Sequence, residues 1–163
     1  MHELIIKRNI PVQVALVGDG PMMGTYKKMV RKLGIADYVH FLGSTELTPA
    51  VLHYADINML TSSKEAFGIV LLEGGLMRKP TIVARGGCGA ADWLIIDKQT
   101  GFLFENNDVQ SLADTIAYAI AHDDEATACG QRLYEKVMAE FMPSRTAAAL
   151  LAMYHELANH KNY

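Results

Sequence analysis

Short β-branched runs alternate along this chain with longer stretches whose apolar residues return every three or four positions. VQVALV, residues 12–17, ends in glycine and predicts a buried strand over Val12–Val17. A helix follows: Pro21 suits its first turn, Met22, Tyr26, Met29, Val30 and Leu33 share one face, and Gly34 can close it. YVHFLG gives a second strand over Tyr38–Leu42, and Pro49 to Tyr54 a short amphipathic turn. DINMLTSS, PTIVAR and GFLFE supply three more strands. Asp108 is placed to cap a helix carrying Leu112, Ile116 and Ile120, and two further helices run over Glu125–Phe141 and Ser144–Ala158. Strands alternating with helices predict an α/β fold, a doubly wound parallel sheet covered on both faces.

The segment between the third and fourth strands breaks the simple pattern. SSKEAFGIVLLEGG, residues 62–75, places Glu65 and Glu73 on either side of a nearly apolar run. A buried acid is costly unless bonded or neutralised, so these carboxylates either reach water or face something that needs them. In open parallel sheets ligands bind beyond the carboxyl ends of the strands. There the chain carries its glycine-rich turns: GDGP, GSTE, SSKEAFG and RGGCGA. Glu65 falls in the loop before a helix that runs up to Arg78. Phe67, Gly68 and Ile69 are expected to begin it, where free N–H groups and the helix dipole favour an anion such as phosphate. Gly68 admits close backbone approach. Glu73, about a turn and a half in, can accept two hydroxyl hydrogen bonds, as a ribose diol offers.

Composition narrows the class. The 163 residues are half apolar, which suits one domain over 1–163. The net charge of −3 argues against nucleic acid or an anionic membrane bound by bulk charge. Cys88 and Cys129 are far apart and read as reduced thiols of a cytoplasmic protein. No apolar run approaches the ~18 residues of a membrane span. The six histidines show no ligand spacing and no Asp-x-Asp follows a strand, so no metal and no cofactor are expected. GDGPMMG is a weak dinucleotide-turn pattern, and VHFLGS lacks the acid such a fold wants for its ribose.

EAFGIVLLE resembles the E-x7-E motif of retaining glycosyltransferases with the GT-B fold. VALVGDGP, VHFLGS, ADINMLTSS, KPTIVA and TGFLFENNDVQSLADTI follow that family's order and spacing over nearly the whole chain. The resemblance implies a Rossmann-like half of a GT-B fold that binds a UDP- or GDP-linked sugar. Glu73 would hold the ribose, and Glu65, the catalytic-site acid, would contact sugar hydroxyls near the reacting carbon. The amides at Phe67, Gly68 and Ile69 would meet the diphosphate and sugar. Gly18 and Gly20 would give the nucleotide room, and backbone near Leu42 and Gly43 would read the base. The acceptor would be a glycan or a lipid-linked hydroxyl, reached through an amino-terminal domain absent here. That absent half could also hold the enzyme at a membrane surface.

The sequence departs from the family at several points. Ala66 stands where the family usually has Gly, Thr61 where it has Pro, and Gly74 where it has Ala. CGAADW, with Asp92 and Trp93, replaces a shorter Pro-Glu loop. The Gly74-Gly75 pair costs roughly 1 kcal/mol each inside a helix, which predicts close packing there. The family's opening strand, with the Arg and Lys that neutralise the diphosphate, has no counterpart before VQVALV. Residues 1–10 resemble the end of the helix that should follow that strand. A central strand is therefore expected to be missing, with low stability in isolation and direct pairing of the two flanking strands as the compact arrangement. Two other readings stay open: a nucleotide-binding module without catalysis, and an NAD(P)-binding Rossmann domain.

Overall fold

A computed structural model describes residues 1–87, 89 and 91–160. A π-helical turn (Glu3–Lys7) precedes β1 (Val14–Val17), α1 (Met23–Lys32), β2 (Val39–Gly43), α2 (Thr48–Tyr54) and β3 (Asn58–Leu60). Then come α3 (Ile69–Leu76), β4 (Thr81–Ala84), α4 (Ala91–Leu94) and β5 (Phe102–Phe104). The helices α5 (Val109–Ala121), α6 (Asp123–Glu140) and α7 (Pro143–His160) close the chain. The alternation expected from the sequence is present, and every strand pair is parallel. α4 and a 3-10 turn at Ala36–Tyr38 were not foreseen. Asp108 caps α5 as expected, its Oδ1 accepting from the N–H groups of Gln110 at 2.8 Å and Ser111 at 3.0 Å.

The strands divide into two sheets, β1-β2 and β3-β4-β5. The direct pairing expected between the first and third strands does not form. What joins the halves is side-chain packing from the amino-terminal turn. Leu4 is buried in the cluster that holds Ile82, Phe102, Phe104 and Ile116, and its neighbour Ile5 is buried with Ile35 and Val39. Met1 and Val12 touch both clusters. An ion pair from Arg8 to Asp114 at 2.7 Å ties the turn to α5.

The larger sheet is covered on both faces. All four residues of β4 are buried, with Ile82 and Ala84 turned to the α5 side and Val83 to a second cluster of Leu71, Leu94, Ile95, Leu133 and Val137. α6 contributes to both clusters, Ala126 and Cys129 to the first, Leu133 and Val137 to the second. The Cys129 thiol is pushed up by burial; Cys88 lies outside the described residues. The smaller sheet is thinner: β1 buries only Val14, and α1 buries none of its residues. The apolar side chains Leu150, Leu151, Met153, Tyr154 and Leu157 of α7 are exposed.

The Gly74-Gly75 pair is closely packed, as its cost in a helix suggested. A Cβ on Gly75 would stand 2.9 Å from Val137 Cγ2 and 3.1 Å from Leu133 Cγ. A Cβ on Gly74 would collide with the Asn58 side chain and reach Thr81 Oγ1 at 3.2 Å. The space left open by Gly74 lets the buried Asn58 amide donate to the Val70 carbonyl at 3.1 Å, so a strand side chain is bonded to the helix backbone. Gly130 of α6 takes part in the same packing, facing the backbone of Arg78 and Lys79.

Two forces oppose each other at such a glycine. Alanine gains ~1 kcal/mol of helix propensity, but overpacking a dense site costs about 1–3 kcal/mol. Gly74→Ala should therefore destabilise the chain by about 0–2 kcal/mol net of these two terms. Gly24→Ala in α1, where an added Cβ meets nothing within 4 Å, should be neutral or stabilising. Thermal melting of the two variants checks this, and equal shifts would show that crowding at Gly74 is unimportant.

Candidate functional site

The residues singled out by the sequence gather at the carboxyl ends of the strands, in two groups. Phe67, Gly68 and Glu65 precede α3 on the larger sheet, with Ile69 and Glu73 inside it. Gly68 is the residue before the helix, at φ 76° and ψ 63°, so α3 starts at Ile69 and not at Phe67. That left-handed conformation is open to glycine and strained for a side chain. It turns the chain sharply into the helix. The Leu71 N–H closes back on the Gly68 carbonyl at 2.8 Å. The Ile69 and Val70 amides have no preceding helical carbonyl and point out of the amino end. No side chain caps this end.

Glu65 is exposed and held by its backbone. Its N–H donates to the Gly87 carbonyl at 2.7 Å, and its own carbonyl accepts from the Gly89 N–H at 3.2 Å. Its carboxylate accepts from the Ala66 N–H at 3.1 Å. The loop after β3 is thus laced to the loop after β4. Gly87 is required at this crossing, because a Cβ there would sit 2.5 Å from the Ser62 carbonyl oxygen. Asn106, in the turn after β5, donates to the Ser63 carbonyl at 3.2 Å and ties in the third loop. Arg85 pairs with Glu105 at 3.0 Å beside it, both side chains exposed. Glu73, half-buried, is the fifth residue of α3.

The second group lies on the smaller sheet. The Gly18 N–H donates to the Gly43 carbonyl at 2.7 Å, joining the turns that follow β1 and β2. Both have positive φ, 121° and 67°. A Cβ at Gly18, Gly20 or Gly43 would meet nothing within 4 Å. These glycines face open space, whereas Gly74, Gly75 and Gly87 are crowded by protein. Leu42 is exposed beside them at 43%. Two cavities of this half, about 220 and 520 Å³, lie against β1, β2 and α1 and are lined by neither Glu65 nor Glu73. At Gly18, Gly20 and Gly43 the candidate site is open to solvent.

Sequence reading missed Gly87 and Asn106. The first is half of the Gly86-Gly87 pair and so was visible as a turn. The second left no signal, since its partner is 43 positions away. Of the divergent loop, Trp93 is exposed at the carboxyl side of β4, and the side chain of Asp92 lies outside the described residues. Among the described residues, no three His, Cys, Asp or Glu side chains cluster as a metal site, and no helix is long and apolar enough to cross a membrane.

The family model for glycosyl transferases group 1 matches residues 1–136. The N-acetyl-alpha-D-glucosaminyl L-malate synthase of Bacillus anthracis is 31% identical over 152 residues, 93% of this chain and 39% of that protein. The GDP-mannose-dependent alpha-(1-6)-phosphatidylinositol monomannoside mannosyltransferase of Mycobacterium tuberculosis is 30% identical over 146 residues, 84% of this chain and 37% of that protein. Anabaena HepE, solved in complex with UDP, superposes with a TM-score of 0.79 at 26% identity, over 93% of this chain and 44% of its own. The chain spans less than half the length of these relatives.

Gly68→Ala should cost roughly 1–2 kcal/mol, the penalty of one left-handed residue with a side chain. Relaxing that strain would also re-aim the Ile69 and Val70 amides. The expected result is a lowered melting temperature together with weaker binding of UDP or GDP. A variant that melts lower but binds either nucleotide unchanged would detach the helix end from the site.

Proposed function

Since this chain belongs to the glycosyl transferases group 1 family and matches a Rossmann-like domain of its GT-B enzymes, we propose that it is the donor-binding half of a retaining glycosyltransferase. The substrate would be a sugar linked to UDP or GDP, and the acceptor a glycan or lipid-linked hydroxyl. The observation that carries this reading is the amino end of α3. It presents uncapped amides behind a left-handed glycine, with Glu65 just ahead and Glu73 just inside. HepE, which aligns over nearly all of this chain, was solved both with UDP and with UDP-glucose.

In this reading the diphosphate lies against the amides of Phe67, Gly68 and Ile69, where the helix dipole also favours it. Glu73 accepts from the ribose hydroxyls. The open turns at Gly18, Gly20, Leu42 and Gly43 take the nucleoside. Glu65, fixed by its backbone bonds to Gly87 and Gly89, receives the sugar hydroxyls. An acceptor oxygen bonds to the anomeric carbon as that carbon's bond to the diphosphate breaks, on the same face, and the acceptor's hydroxyl proton passes to the departing diphosphate oxygen. Charge grows on the leaving diphosphate, and aimed amides stabilise it without having to reorganise. No metal is required. Glu65 positions the sugar and does not attack it.

A second reading, nucleotide binding without transfer, is favoured by the open turns of the site. Turns open to solvent neither orient an acceptor nor exclude water, and orientation alone can be worth roughly 7–11 kcal/mol of barrier. The chain by itself should therefore release or transfer little sugar from UDP-glucose or GDP-mannose. Rapid transfer to a sugar acceptor by the purified 163-residue chain would contradict this.

Glu73→Gln keeps the size and removes the charge. It should weaken whichever of UDP or GDP binds by about 1.5–3 kcal/mol, the scale of a charged hydrogen bond. Calorimetry measures this directly, with EDTA present to test the metal-free expectation. Unchanged affinity removes Glu73 from the ribose site, and loss of all binding on adding EDTA overturns the metal-free mechanism.

A further inference from the structure

The cavity of about 520 Å³ against the smaller sheet is walled by Lys27, Val30 and Arg31 of α1 and by residues 39–42 of β2. Successive side chains of a strand point to opposite faces of its sheet. Four consecutive residues therefore share one cavity only where it follows the strand's edge. The edge in question is the outer one. Among the described residues β2 pairs with β1 alone, and no residue of β1 lines the cavity. The groove thus exposes a row of β2 backbone groups that no neighbouring strand takes up. Lys27 leans over it, with its ammonium 5.7 Å from the Phe41 ring centroid. α1 has no acid, and among the described residues the ion pairs belong to Lys7, Arg8 and Arg85. Lys27 and Arg31 therefore stand beside an open strand edge with no carboxylate to pair with.

We propose that this groove binds an acidic, extended segment of a partner protein. The segment adds to the free edge of β2 as a further strand and sets its carboxylates against Lys27 and Arg31. In strand addition the main-chain bonds supply the attachment and the side chains select the partner. Charge decides the occupant here. A second copy of this chain, paired edge to edge, would bring its own Lys27 and Arg31 to the same groove. Nucleic acid has the charge but no peptide backbone to pair with β2. The ladder between β1 and β2 is regular at Val39, His40 and Phe41 and slips before Gly43. An added strand would follow that regular stretch and end short of the turn at Gly43. So short a ladder holds a peptide weakly by itself, which is why the two cations matter.

A Val-Glu-Val-Glu-Val peptide with blocked ends and a fluorescent label is the probe, titrated by anisotropy into the full chain. It should bind along a saturating curve and slow amide exchange within residues 39–41. A Val-Lys-Val-Lys-Val peptide should not bind, and neither should the acidic peptide N-methylated at every residue, which keeps its charge and loses its donors. Lys27 and Arg31 are exposed, so Lys27→Glu combined with Arg31→Glu should leave the melting temperature unchanged and weaken the probe by roughly tenfold. Absence of binding, equal binding of the lysine peptide, unslowed exchange in β2, or unchanged affinity in the folded double variant would overturn the proposal. Equal binding of the N-methylated peptide would reduce the groove to a patch of charge and overturn it too. The two peptide controls need no variant, so they decide the matter even if the double variant fails to fold.

Discussion

The missing side chains of Gly74 and Gly75 set how closely α3 lies on its supports. With no Cβ in the way, the helix approaches Asn58 and Thr81 on the sheet side and Val137 and Leu133 of α6 on the other. Asn58 converts that closeness into a bond by donating to Val70. A buried amide left without a partner would cost about 1–3 kcal/mol, so this bond also fixes which turn of the helix faces the strand. The amino end of α3 is aimed from beneath, by packing near its carboxyl end.

A second constraint acts from the loop side. Gly87 lets the turn after β4 pass against Ser62, and the two backbone bonds of Glu65 depend on that crossing. Asn106 adds the turn after β5. Three loops that would otherwise move separately are held by one another. Glu65 needs no buried partner to be well placed, since its backbone is fixed and its carboxylate remains in water. Of the two acids that bracket the apolar run, Glu65 lies ahead of α3 and Glu73, half-buried, is its fifth residue, with Leu71 between them fully buried.

Much of this was legible in the sequence. The β-branched runs marked the strands, Asp108 marked the start of α5, and two adjacent glycines in a helix marked a tight contact. Those signals are local, and local rules fixed the outcome. The partition into two sheets was not legible, because alternation of strands and helices says that strands are parallel but not which edges meet. Gly68 was read as room for a ligand, but its positive φ supplies a second reason for the glycine. α4 was hidden in a glycine-rich turn, and the Asn106 bond to Ser63 joins residues too far apart for any pattern to reveal. That the candidate residues of the turns after the strands lie at strand ends followed from the sheet rule, while their division between two sheets came only with the tertiary structure.

The split between the sheets also divides the cooperativity of the molecule. The larger sheet has two buried clusters, while the β1-β2 half rests on Ile5, Ile35 and Val39, with a helix that buries nothing of its own. Segments with few buried contacts open at a lower free energy than the rest of the fold. Amide protons of β1 and β2 should then exchange through local opening, and those of β4 only through global unfolding. A nucleotide bridging the open turns of Gly18 and Gly43 and the amino end of α3 would have to order the weaker half as it bound. Part of its interaction free energy would appear as slowed exchange in β1 and β2 and not as affinity.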